Sequence, residues 1–96
     1  MIRHTVVFTL KHAQGSEAER KFLEDARVLT RIPTVEKFER LKQVSPKNDY
    51  AFGFSMEFAD QAAYDAYNTH PIHVDFVRDR WQTEVSKFME IDYILL

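Results

Sequence analysis

The sequence predicts an α+β domain of the split βαβ, ferredoxin-like kind: element order β-α-β-β-α-β, with a four-stranded antiparallel sheet carrying both helices on one face. Three observations carry that expectation. Ile2 to Lys11 and Tyr50 to Phe58 both alternate residue types with a period of two, the signature of strands. Two further stretches place their apolar residues at helical spacing. A last segment rich in Phe, Ile and Tyr, Ser86 to Leu96, reads as a closing strand.

In the first strand Ile2, His4, Val6, Phe8 and Leu10 share one face, and Arg3, Thr5, Val7, Thr9 and Lys11 the other. Gly15 ends the loop that follows, and Ser16 with Glu19 forms a capping box that opens a helix. Phe22, Ala26 and Leu29, with Leu23 beside them, give it an apolar stripe, and Ile32-Pro33 stops it. From Thr34 to Val44 the pattern is irregular, with Val35, Phe38 and Leu41 among charges, as in a bulged edge strand. Ser45-Pro46-Lys47-Asn48-Asp49 is a turn. The next strand sets Tyr50, Phe52, Phe54, Met56 and Phe58 against Ala51, Gly53, Ser55 and Glu57. Asp60 caps a second helix bearing Ala63, Tyr64 and Tyr67. Pro71 can open a helix but not continue one, so His70-Pro71 closes one helical run and starts another. Val74, Val77, Trp81 and Val85 carry the apolar stripe onward. No repeat or linker interrupts the chain, and residues 1–96 read as a single domain.

Composition narrows the class. A hydrophobic fraction of 45% and an aromatic fraction of 14% exceed what one small core needs. The sheet face turned from the helices would hold Val7, Ala51 and Gly53, too apolar and small for a free surface. A second copy stacked sheet to sheet covers it economically, so a homodimer, closing a dimeric α/β barrel, is expected. A net charge of −2 with interspersed bases gives no electrostatic case for nucleic acid. Without cysteine there is no disulfide and no zinc-thiolate site. No apolar run approaches the roughly 20 residues of a membrane span, and the N-terminus lacks a signal-peptide core, so a soluble cytoplasmic protein is expected.

The chemistry-bearing stretch is His70-Pro71-Ile72-His73, preceded by Tyr67. It sets two imidazoles and a phenol around a rigid joint, and imidazole is the side chain best suited to proton transfer near neutral pH.

Several motifs resemble the stress-responsive dimeric α/β-barrel (Dabb) proteins. These are the opening Ile2-Arg3-His4-Thr5-Val6-Val7-Phe8, the block Tyr50 to Phe58, the run Tyr64, Tyr67 and His70-Pro71-Ile72-His73-Val74, and the ending Phe88-Met89-Glu90-Ile91-Asp92-Tyr93. The resemblance covers nearly the whole chain and implies the same dimeric barrel. The family includes plant stress and defence proteins, bacterial members of unknown role and a polyketide cyclase. Likeness to the cyclase implies His73 and Tyr67 as an acid/base pair and His4 as a further pocket histidine. Where the cyclase has another pocket histidine, on the third strand, this chain has Phe52. Some plant members hold magnesium on three backbone carbonyls, which implies Leu29, Ile32 and Val35 here. No organic cofactor is implied.

His4 shares the helix-facing side of its strand with Val6 and Phe8. Tyr67 and His73 can then close a cavity over it, against Phe52 and Phe54 as ligand-binding walls. A neutral imidazole there could take a proton alpha to a carbonyl while a phenol donates to the enolate oxygen. The ligand expected is a small aromatic or carbonyl compound. The alternative is that His4 and His73 only satisfy each other or a backbone group in the core. Two functions stay open: a dimer that binds a ligand without turning it over, and a cofactor-free enzyme with cyclase-like or monooxygenase-like chemistry. His70 is expected to cap helix-end carbonyls, His12 to be solvated, and Trp81 to serve packing.

Overall fold

A computed structural model describes residues 1–96 and contains the expected elements in the expected order. Strand β1 (Ile2–Leu10) is followed by helix α1 (Glu17–Asp25), which tightens into a 3-10 segment over Ala26–Arg31. Strands β2 (Glu36–Lys42) and β3 (Phe52–Phe58) form a hairpin. Helix α2 (Gln61–Thr69) meets α3 (Pro71–Phe76), whose path continues through a wide π-type stretch, Val77–Trp81, and a last turn, Gln82–Glu84. Strand β4 (Val85–Tyr93) completes an antiparallel sheet of order β2-β3-β1-β4.

Local chemistry accounts for the ends. Ser16 Oγ accepts from the Glu19 amide at 3.2 Å, and the Glu19 carboxylate reaches back to Gly15 N at 3.0 Å. The capping box is thus displaced by one residue at its return bond, and Gly15 at φ +76° supplies the left-handed turn before it. Asp60 caps α2 through the Ala63 amide at 2.8 Å. The irregularity of β2 is a bulge: its register with β3 shifts between Glu36 and Glu39, and Lys37 takes φ +51°.

The core lies between the helices and one sheet face. Phe8, Phe22 and Phe58 are fully buried, with Met56, Ile32 and Phe54 nearly so. Phe8 from β1 meets Phe22 of α1, Phe54 of β3 and Trp81 beyond α3 at ring-centroid distances of 6.0, 4.7 and 5.0 Å. Arg80 ties the helical layer together, bonding Asp25 of α1 at 2.6 Å and Glu84 at 2.5 Å.

Three sequence expectations change. Val74 is exposed and Phe76 takes the core position, because α3 starts at Pro71 and turns Ile72 and Phe76, four residues apart, toward the core. Val85 begins β4 rather than ending the helical stripe, and β4 stops at Tyr93, short of Leu96. His12 is not simply solvated: its Nε2 bonds the Glu84 carboxylate at 2.7 Å, since β4 starts beside the end of β1.

The face turned from the helices carries Val7, Gly53, Leu41, Met89, Ile91 and Tyr93, as the strand registers require. Leu41, Met89, Ile91 and Tyr93 are between 37% and 50% exposed, an apolar surface uncovered within one chain. Gly53 is buried there, and a Cβ on it would stand 3.3 Å from the Val6 carbonyl oxygen. No helix is long and apolar enough to cross a membrane.

Candidate functional site

The joint between α2 and α3 builds the site. His70 is extended (φ −65°, ψ 136°) and ends α2, and its amide bonds the Tyr67 carbonyl at 3.1 Å. Its Nδ1 accepts from the Ile72 amide at 3.1 Å, so His70 caps the start of α3 rather than the carbonyls of α2. Pro71 at the first helical position has no amide to satisfy. The turn sets Tyr67, in the last turn of α2, against His73, in the first of α3, with ring centroids 4.3 Å apart and the planes tilted by 43°.

His73 Nδ1 lies 3.1 Å from the Asn68 carbonyl oxygen. A carbonyl only accepts, so Nδ1 carries the proton and the neutral ring keeps a lone pair on Nε2. Burial is the main influence and depresses the His73 pKa below the usual 6.5, although the Asn68 bond pulls the other way. The base form therefore dominates at neutral pH. Tyr67 is 3% exposed and its hydroxyl has no hydrogen-bond partner in the chain. Burial first, and the Glu90 carboxylate second, push its phenol far above the ordinary range, so it is a fixed O–H donor.

His4, 5% exposed, is held from the other side. Its Nδ1 meets Asp92 Oδ1 at 2.5 Å. The Tyr64 hydroxyl donates to Asp92 Oδ2 at 2.8 Å and lies 3.0 Å from His4 Nδ1. The carboxylate assigns the proton to Nδ1 and leaves His4 Nε2 for the interior. Burial, then the bond to Asp92, raises the Tyr64 pKa. Tyr64 also stacks on Phe58 at 5.0 Å and 12°.

His4, Tyr67 and His73 meet on one cavity of about 190 Å³ between the sheet and α2–α3. Its walls are mainly apolar, among them Val6, Phe54, Met56, Phe76, Val77, Trp81 and Phe88, with Asn68 and Glu90 as further polar members. A larger depression of about 750 Å³ lies between α1 and α3, but charges line it, several of them already paired, such as Arg80 with Asp25. The smaller cavity is the one that combines apolar walls with unpartnered proton-transfer groups.

Sequence reasoning placed four of five wall and site residues together. Phe52 stands apart: paired with Phe8 and Lys42, it sits toward the other end of the sheet, near Tyr50 and His12. Trp81, expected only to pack, also lines the cavity. The sequence assigns Asp92, Phe88 and Glu90 no site role, and Tyr64 only a place on the second helix. The signal for the first three is the even-numbered face of the last strand, which reads as functional only once its register with β1 places Phe88, Glu90 and Asp92 opposite Phe8, Val6 and His4.

The carbonyls of Leu29 and Ile32 each accept one turn hydrogen bond, from the amides of Ile32 and Val35 at 3.2 and 3.1 Å. Each keeps a second lone pair, and the buried Thr34 hydroxyl in the same turn has no partner. The turn is thus rich in oxygen donors of the kind hard cations take.

A ferredoxin-like domain with an apolar cavity, two unpartnered imidazole nitrogens and a buried phenol defines the class. The chain belongs to the stress responsive A/B barrel domain (Dabb) family, whose model matches residues 2–95. It is similar to a Dabb-family protein of ferredoxin-like fold from Mesorhizobium loti, with 67% identity, TM-score 0.98, and coverage of 99% of this chain and 96% of that one. A hydroxynitrile lyase from Passiflora edulis shares the fold at 19% identity and TM-score 0.83, over 99% of this chain and 93% of that one. So does a dimeric protein of unknown function from Bacteroides fragilis, at 19% identity and TM-score 0.74, over 98% and 95%. No curated protein matches the chain.

Proposed function

We propose that the protein is a homodimer that binds a small ring-sized molecule in the cavity beneath α2–α3 and performs cofactor-free acid/base chemistry on it. One observation carries the reading: the Tyr67 and His73 rings, with centroids 4.3 Å apart, both line one apolar cavity, and neither the Tyr67 hydroxyl nor His73 Nε2 has a partner in the chain. His73 takes a proton from carbon next to a carbonyl, and Tyr67 donates to the oxygen on which charge develops. His4, oriented by Asp92, is a second imidazole facing the ligand. Phe54 forms part of the wall. A volume near 190 Å³ suits one ring, since an apolar cavity of about 150 Å³ accepts benzene. A hydroxynitrile lyase built on the same fold is support by analogy only.

The test is proton–deuterium exchange at the carbon alpha to the carbonyl of small aryl ketones, followed by NMR, for wild type, His73→Gln and Tyr67→Phe. Wild type should exchange protons above background, and each variant should lose about 10²-fold or more of that rate. Equal rates in all three would remove the acid/base assignment. Ligand binding kept in both variants with no exchange anywhere would leave a binding dimer without catalysis.

The carbonyls of Leu29, Ile32 and Val35 are the proposed magnesium site, supported by the second lone pairs on Leu29 and Ile32 and the unpartnered Thr34 hydroxyl. Millimolar Mg²⁺ should then raise the melting temperature saturably. An unchanged transition speaks against the site.

A further inference from the structure

We propose that the cavity selects a small aromatic ligand bearing a protonated amine, with Glu90 as its counter-ion. This narrows the ligand class of the reading above and rests on it. The argument begins with the hydrogen-bonding inventory. Glu90 enters no ion pair and no hydrogen bond, although it lines the cavity and, being exposed on edge strand β4, sits at its mouth. His73 Nε2 presents a lone pair once its Nδ1 proton is committed to the Asn68 carbonyl, and Glu90 adds its carboxylate oxygens. The donors are the Tyr67 hydroxyl, the Trp81 indole N–H and the Asn68 amide, which is acceptor as well as donor. The one charged group among these is an acceptor, the Glu90 carboxylate, and the ligand that satisfies it carries a cationic N–H group.

Charge points the same way. No lysine or arginine lines the cavity. The nearest same-face residues on β4 are Phe88 and Asp92, and Asp92 is occupied by His4 and Tyr64. No cationic side chain of the chain pairs with Glu90. Five aromatic rings (Phe54, Tyr67, Phe76, Trp81 and Phe88) complete the wall, and ring faces attract cations. An anionic ligand of equal size would bring its charge against Glu90 and find few donors. Glu90 lies on the helix side of the sheet, so sheet-to-sheet pairing of two copies leaves it uncovered.

Benzylamine, benzyl alcohol and benzoate share one ring and differ in charge, so they separate the terms. Each is titrated into the intact protein at low salt, wild type and Glu90→Gln, with backbone amide shifts around Val77 and Trp81 as readout. Wild type should bind benzylamine about tenfold more tightly than benzoate, and Glu90→Gln should narrow that ratio by a similar factor. Benzyl alcohol should bind both proteins alike, which also reports that the variant is folded. Benzoate binding best in wild type, or a ratio untouched by Glu90→Gln, overturns the charge selection. If the alcohol still binds in that case, the ring-sized pocket survives. If none of the three shifts the cavity amides, the pocket reading fails and takes this inference with it.

Discussion

At the scale of single residues, the proposed chemistry turns on a neutral His73 and a protonated Tyr67, with His4 Nδ1 held by Asp92. Burial makes protonation of His73 harder in the folded chain than in the unfolded one. The sign follows from linkage: the unfolded chain binds that proton more readily, so the stability from a neutral His73 is complete above pH 6.5. It is lost as the pH falls from there through the lower folded value. Denaturant titrations at pH 7.5 and pH 5 should show wild type losing more stability on acidification than His73→Gln; equal losses would contradict a buried neutral ring. His73, Tyr67 and His4 were legible because their residue types and spacing advertise proton transfer. Asp92 and Glu90 were not, because their meaning depends on pairing across the sheet: 88 residues separate Asp92 from His4 in the chain. A carboxylate on an alternating strand looks solvated until the register is known.

At the scale of elements, the α2–α3 joint does the positioning. His70 satisfies an orphan amide at the start of α3, where the sequence suggests instead a cap on the carbonyls that end α2. His70→Ala should cost about 1 kcal/mol of stability, while His70→Asn, another good N-cap, should cost less. Thermal and urea unfolding would reveal the difference, and equal losses would mean the cap contributes nothing. Strands β1 and β3 were plain in the sequence because alternation is a local property of half-buried strands. The helix beyond Pro71 was less legible. Its phase is set where α3 starts at Pro71, so the residue facing the core is Phe76, on the same stripe as Ile72, instead of Val74. The bulge at Lys37 similarly hid where β2 begins, which is Glu36 rather than Thr34.

At the scale of the whole molecule, the two sheet faces divide the work. Strand β4 shows this most clearly: Met89, Ile91 and Tyr93 face away from the helices while Glu90 and Asp92 face toward them. Such an inversion makes little sense for an isolated monomer and good sense for a sheet covered by a second copy. Light scattering should give about twice the 11.4 kDa chain mass, and Ile91→Lys should shift the protein toward monomer. A wild-type monomer at micromolar concentration would contradict the proposed barrel. Because the cavity opens on the other face, assembly and ligand contact are separable. The central claim, a neutral His73 presenting Nε2 to a ligand, is tested most directly by ¹⁵N NMR of the imidazole rings at pH 7.5, with and without a small phenol. His73 should show a protonated Nδ1 and an unprotonated Nε2, and the phenol should move the Nε2 resonance. An imidazolium pattern, or a ring resonance indifferent to every ring-sized ligand, would contradict it.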